Sequence, residues 1–190
     1  MLVAELRNLV LVLGDQLDAG AAAFDDFDAA NDAVWMAEVA EESTHVWSHK
    51  ARIALFLTAM RHYRDALRER GIPTFYRQID DPDNLGSLAR ELEAAIRCRN
   101  PRRLIVVEPG EWRVQESIEK TARKLQVPVE MRTDRHFLCT HDEFAEHAAE
   151  RKQLRMEYFY RYMRRKTGIL MRGGKPEGGK WNFDAENRKS

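Results

Sequence analysis

Three short segments place carboxylates directly behind apolar runs, where a folded chain can gather them. Gly14-Asp15-Gln16 closes the run that begins at Asn8. Glu38 lies near the end of a second run, Ala33–Val39, with Glu41, Glu42 and His45 just behind it. A third run, Arg103–Pro109, ends in Glu108 and continues as Gly110-Glu111-Trp112-Arg113. Carboxylates accept hydrogen bonds from N–H and O–H groups. Converging beside exposed backbone, they suit a heterocycle or ribityl hydroxyls. They suit a polyphosphate poorly unless a metal intervenes. Each residue also has a plainer role open to it. Asp15 can cap a helix. Glu38 and Glu108 can pair with Arg113 or Lys50. His45 and His49 can be surface residues at a helix start. A carboxylate–Mg²⁺ site built from Asp15, Glu38 and Glu108 is the enzymatic alternative.

Other chemistries lack their residues. No GxGxxG follows the first run and no GxxxxGK[ST] occurs, so dinucleotide or nucleotide binding in the usual manner is not expected. No GxSxG is present. Cys98 and Cys139 have neither CxxC spacing nor a neighbouring ligand cluster, so they build no zinc or iron–sulfur site. They read as reduced thiols of a cytoplasmic protein. No signal peptide or membrane-length apolar run is seen. No residue is nominated as catalytic and none as a metal ligand of this chain.

The positioning elements alternate. Asn8–Gly14, Ala33–Val39, Thr74–Ile79, Arg103–Pro109 and Val127–Thr133 read as buried strands. Between the second and third, Ile53, Phe56, Leu57, Met60, Tyr63 and Leu67 recur at helical spacing, and Gly71 with Pro73 ends the helix. Asn84 or Ser87 is placed to cap the next helix, in which Leu88, Leu92 and Ile96 share a face. Ile118, Ala122 and Leu125 mark another. Five strands joined by helical crossovers predict an α/β, doubly wound, mainly parallel sheet of Rossmann-like type. In such sheets ligands bind beyond the carboxyl ends of the strands, where the three acidic segments fall.

Thr140-His141-Asp142-Glu143 is a capping-box pattern opening a short helix. A basic helix is expected over Leu154–Lys166, with residues 172–190 irregular. The 190 residues are 44% hydrophobic and carry no net charge, but the charge is divided. Residues 151–190 hold 12 Lys/Arg against 4 Asp/Glu, leaving the first 150 correspondingly acidic. The boundary between body and appendage is therefore drawn at 150. Tyr158, Phe159, Tyr160 and Tyr162 are interleaved with Arg155, Arg161, Arg164 and Arg165, a composition that can stack on bases and neutralise phosphates. The plainer reading is an amphipathic connecting helix with Met156, Phe159, Tyr160 and Met163 on its covered face. A DNA- or protein-binding module is thus a second functional alternative.

Several segments together, LVLVLGDQL, WMAEVAEEST, HKARIALFLTAMRHYRDAL, VEPGEWRV, DRHFLCT, RKQLRMEYFYRYMRR and GGKWNFDAENRK, resemble the deoxyribodipyrimidine photolyase-related family. These are bacterial cryptochromes and (6-4) photolyases with an iron–sulfur cluster. The resemblance runs from about Asn8 to Lys189. It implies an N-terminal antenna domain over residues 1–150 and, over 151–190, a helix and connector toward a helical C-terminal domain. That domain would hold FAD, the [4Fe-4S] cluster and the DNA-lesion site, and its absence implies that this chain alone is not catalytic. The pocket implied here is that of 6,7-dimethyl-8-ribityllumazine. Asp15 and Gln16 would bond the ring or ribityl chain, Glu42 would accept from the chromophore, and Ala37 would lie against it. Two positions depart from the family's pattern: His45 stands where a tyrosine is expected, and Phe56 where a smaller aliphatic wall is expected, so the pocket is narrowed.

Overall fold

The residues from Leu9 to Leu13 are buried without a break, because both faces of the sheet are covered along the strand and just beyond it. A computed structural model describes residues 6–149 and 151–182 of the protein. Strands β1 (Asn8–Leu11), β2 (Asp32–Ala37), β3 (Thr74–Arg77), β4 (Arg103–Val107) and β5 (Val129–Arg132) form one sheet in the order β3-β2-β1-β4-β5. All four pairings are parallel. Helices α1 (Ala40–Thr44) and α2 (Lys50–Glu69) connect β2 to β3, α3 (Leu88–Arg99) connects β3 to β4, and α4 (Trp112–Lys124) connects β4 to β5. This is the doubly wound α/β sheet read from the sequence.

Side-chain alternation along the strands divides the interior in two. Leu9, Leu11, Trp35, Leu104 and Val106 face one core, where α3 and α4 contribute Leu92, Ile96 and Ile118. Val10, Val12, Val34, Met36 and Ile105 face the other, covered by Met60 and Leu67 of α2 and a short 3₁₀ turn, Ala22–Phe24. Chain order passes from β1 outward to β2 and β3, then returns to the far side of β1 for β4. The switch point of the sheet therefore lies between β1 and β4.

Two local expectations are corrected. Neither Asn84 nor Ser87 caps α3 through its side chain. Ser87 occupies the cap position without a side-chain bond, while Asn84 Nδ2 donates to the carbonyls of Glu38 and Gln78, each at 2.7 Å. One first-turn amide is met instead by a carboxylate, Leu88 N–H donating to Glu41 at 3.3 Å, and Glu91 reaches back to accept from the Leu85 N–H ahead of the helix at 2.6 Å. Along α2 only Met60 and Leu67 are fully buried. No residue in the first half of the helix is fully buried, and Phe56 stays 42% exposed.

The described residues through Asp134 form one compact unit, and those from Arg135 onward form a second. The division falls before the boundary drawn at 150, because α5 (His141–Ala149) packs on α6 (Met156–Thr167). Phe144 meets Phe159 edge-on at 5.1 Å, and His147 lies 4.9 Å from Tyr162 between ring centroids. The capping box is formed: Thr140 N–H donates to Glu143 at 2.9 Å and Glu143 N–H to the Thr140 hydroxyl at 3.2 Å. The aromatic stripe differs from the one spacing suggested. Met156 and Tyr160 are exposed, whereas Arg164 is buried. Arg164 donates to the Leu170 carbonyl and lies over the Tyr160 and Trp181 rings.

Residues 172–182 are not wholly irregular. β6 (Met171–Arg172) pairs antiparallel with β7 (Lys175–Pro176) around Gly173 and Gly174. Both glycines have positive φ, 56° and 75°, as a two-residue hairpin turn requires. Trp181 and Asn182 close the described residues, and the rest of the WNFDAENRK strip lies outside them. Among the described residues no helix is long and apolar enough to cross a membrane.

Candidate functional site

The carboxyl ends of β1, β2 and β4 open into a cavity of about 270 Å³. Its floor comes from three connections: Gly14-Asp15 after β1, Ala37–Val39 at the end of β2, and Pro109–Glu111 after β4. The first half of α2 supplies an apolar wall of Ile53, Phe56, Leu57 and Met60. Ser43, Ser48 and Arg52 complete a polar rim. Parallel strands end together on one side of a sheet, so the topology alone brings these distant segments to one place.

Of the residues nominated for the site, Asp15, Ala37, Glu42 and Phe56 line the cavity. Gln16 and His45 do not. Gln16 is buried beneath, where its Nε2 donates to the carbonyls of Val107 at 3.2 Å and Glu108 at 3.0 Å. Both amide hydrogens are thereby spent on tying the β1 loop to the end of β4. His45 is the exposed C-cap of α1, its N–H donating to the Glu41 carbonyl.

The charged groups differ in how far they are already engaged. Asp15 is open to solvent yet crowded by the cavity walls. Desolvation raises its pKa, its own backbone N–H opposes that, and Glu111, Asp134 and Glu42 add repulsion that raises it further. A Cβ built on Gly110 would stand 4.0 Å from the Asp15 carboxylate, so the β1 and β4 loops run side by side. Glu42 receives both terminal nitrogens of Arg113, at 3.0 and 2.9 Å, and Arg113 also reaches Glu111 at 3.1 Å. These bonds, the one to Glu42 first, hold the guanidinium pKa above its usual value. The pair crosses from α4 to α1 and fixes Glu42 in one orientation.

Glu38 is the most enclosed of them. Its carboxylate takes Arg61 in a fork at 2.7 and 2.8 Å, the Tyr76 hydroxyl at 2.6 Å and the Ile79 N–H at 2.9 Å. Burial works against its charge, but these bonds prevail and its pKa falls below the usual carboxylate value. The pairing with Lys50 or Arg113 anticipated from sequence is replaced by Arg61. The Mg²⁺ alternative loses its ligand set as well, since every oxygen of Glu38 is committed and Glu108 does not line the cavity. Among the described residues no group of three or more His, Cys, Asp or Glu is placed to hold a metal ion.

Sequence reasoning missed Arg61 and Tyr76, which hold the end of β2, and the serines and Arg52 on the rim. One signal for Arg61 was available: it follows Met60 on the helix that crosses over β2. Of the carboxylates, Asp15 and Glu42 are left as acceptors, with the donors Ser43, Ser48 and Arg52 on the rim. Asp15 and Glu42 face a cavity whose opposite wall is apolar, an arrangement suited to a flat heterocycle bearing N–H or O–H groups.

The chain is 49% identical to the (6-4) photolyase of Agrobacterium fabrum over 184 residues, 97% of this chain but 36% of that protein. An uncharacterised protein of Acanthamoeba polyphaga mimivirus is 24% identical over 136 residues, 70% of this chain and 67% of that one. The chain thus spans about a third of the length of its bacterial relative. Residues 10–190 match the family described as deoxyribodipyrimidine photo-lyase-related protein. With that match covering nearly its whole length, the chain belongs to the deoxyribodipyrimidine photo-lyase-related protein family.

Proposed function

We propose that the first unit is a light-harvesting antenna domain that binds 6,7-dimethyl-8-ribityllumazine in the cavity at the sheet's switch point. The observation that carries this reading is the cavity's division into an apolar wall and an acceptor wall, in a chain of this family. Ile53, Leu57 and Met60 would lie against the bicyclic ring. Asp15 and Glu42 would accept from ring N–H and ribityl O–H groups, with Ser43 and Ser48 at the chain's outer end. The lumazine, when bound, supplies absorption of near-ultraviolet and blue light. The protein's part is to hold it dry and fixed. Glu38, Gln16 and Arg113 keep the floor and Glu42 in place without touching the ligand.

The bacterial relative extends well beyond the part this chain covers, and the rest of the proposed activity is assigned to such a longer protein. We place FAD, a [4Fe-4S] cluster, the DNA contact and the lesion chemistry in a helical domain beyond this chain, and the protein in the cytoplasm. Collected energy would pass to that flavin.

Titration of the chain with 6,7-dimethyl-8-ribityllumazine tests the cavity. Ligand fluorescence should shift and saturate near one equivalent. Asp15→Asn and Glu42→Gln should each weaken binding about tenfold or more, as expected when a hydrogen bond to a charged group is lost. Fluorescence that ignores excess protein would remove the antenna reading while leaving the family intact.

A further inference from the structure

Gly14 sits at the cavity floor with negative or extended φ, so its backbone does not call for glycine. Space does. A Cβ built there would meet Phe56 Cε1 at 2.5 Å, Cζ at 2.9 Å and Met60 Sδ at 2.8 Å. Such distances lie inside van der Waals contact. The thioether can move, being the flexible end of a Met side chain. The Phe56 ring lies edge-on in the space that a side chain at position 14 would fill. The same residue lines the cavity and is 42% exposed. The ring is a wedge driven from α2 against the end of β1.

The wedge has a defined effect on capacity. The cavity, at about 270 Å³, lies just below the usual size of ligand sites, which run from roughly 300 to 1,000 Å³. A phenyl ring occupies about the bulk by which a three-ring heterocycle exceeds a two-ring one. We infer that the Gly14–Phe56 contact sets the ring size the cavity admits, accepting a bicyclic heterocycle and excluding a tricyclic one. This rests on the reading that the cavity takes a flat heterocycle. It adds the residue pair that decides which.

The contact can be tested without ligand. Gly14→Ala should destabilise the wild-type chain in urea, because the new methyl group meets the ring. The same substitution should cost far less in a Phe56→Val background. Equal cost in both backgrounds would overturn the wedge. Selectivity is then read with two fluorescent probes that share a ribityl chain and differ in ring number, 6,7-dimethyl-8-ribityllumazine and riboflavin. Wild type should prefer the lumazine at least tenfold, in the range by which a pocket rejects added bulk. Phe56→Val should bring the two within about threefold by gaining riboflavin binding. An unchanged preference in Phe56→Val, or equal binding of both probes by wild type, refutes the inference but leaves the antenna reading standing. Binding of both probes by Phe56→Val alone supports the wedge and removes lumazine as the native ligand. Binding of neither probe by either protein removes both readings.

Discussion

Replacing Glu38 by glutamine should destabilise the first unit by about 2–4 kcal/mol, and the geometry shows why. Four donors converge on the carboxylate: two from Arg61, the Tyr76 hydroxyl and the Ile79 amide. Glutamine turns one acceptor into a donor. Its better orientation points the new NH₂ toward Tyr76 and Arg61 Nε, because the tyrosine hydroxyl can reverse and accept. One charge-assisted bond is still lost, and such bonds contribute about 1.5–3 kcal/mol each. The bonds that remain lose their ionic partner. The upper limit is the cost of breaking a buried pair outright, about 3–5 kcal/mol. Arg61 is 37% exposed and can recover water, so the expected loss lies below that limit.

Urea unfolding read by the fluorescence of the buried Trp35 measures the change. The pH dependence has a fixed sign. The folded-state pKa of Glu38 is depressed, so its contribution is complete above the unfolded value of about 4.3 and disappears as pH falls through the lower folded value. The gap between wild type and Glu38→Gln should hold steady from about pH 8 to 5 and close below about pH 4. A gap under 0.5 kcal/mol at neutral pH, or one that widens in acid, would refute the reasoning.

Two further outcomes follow from packing and capping. Leu92→Ala removes a completely buried side chain from the core beneath α3, and should cost about 2–5 kcal/mol by the same unfolding measurement. Thr140→Ala removes one half of the capping box of α5, and should cost the second unit about 1 kcal/mol. Amide exchange in α5 should speed up accordingly, while exchange in the central strands stays unchanged.

The layout of the sheet was legible because it depends on local repetition. Leu9–Leu13, Val34–Met36 and Leu104–Val107 announce buried strands by their unbroken apolar character, and the helices between them by spacing. The capping box at Thr140–Glu143 is equally local. The hairpin around Gly173-Gly174 was read as irregular, because two-residue strands are too short to carry periodicity. The acidic edge was also foreseen, since parallel strands must deliver their following loops to the same end.

By itself, then, the sequence determined the parallel sheet and the end at which carboxylates gather. Tertiary structure decided which of those carboxylates face the cavity. Glu38 is engaged by Arg61, 23 residues away, and by Tyr76, 38 away. Glu42 meets Arg113 across 71 residues, and Gln16 meets the Val107 carbonyl across 91. The family resemblance places Phe56 in the pocket wall, but only the fold shows its ring against Gly14 at the end of β1. Propensity and periodicity act within a few residues. A polar side chain is claimed by whatever donor or acceptor the fold brings within about 3 Å, and that partner is fixed only when the strands have taken their order.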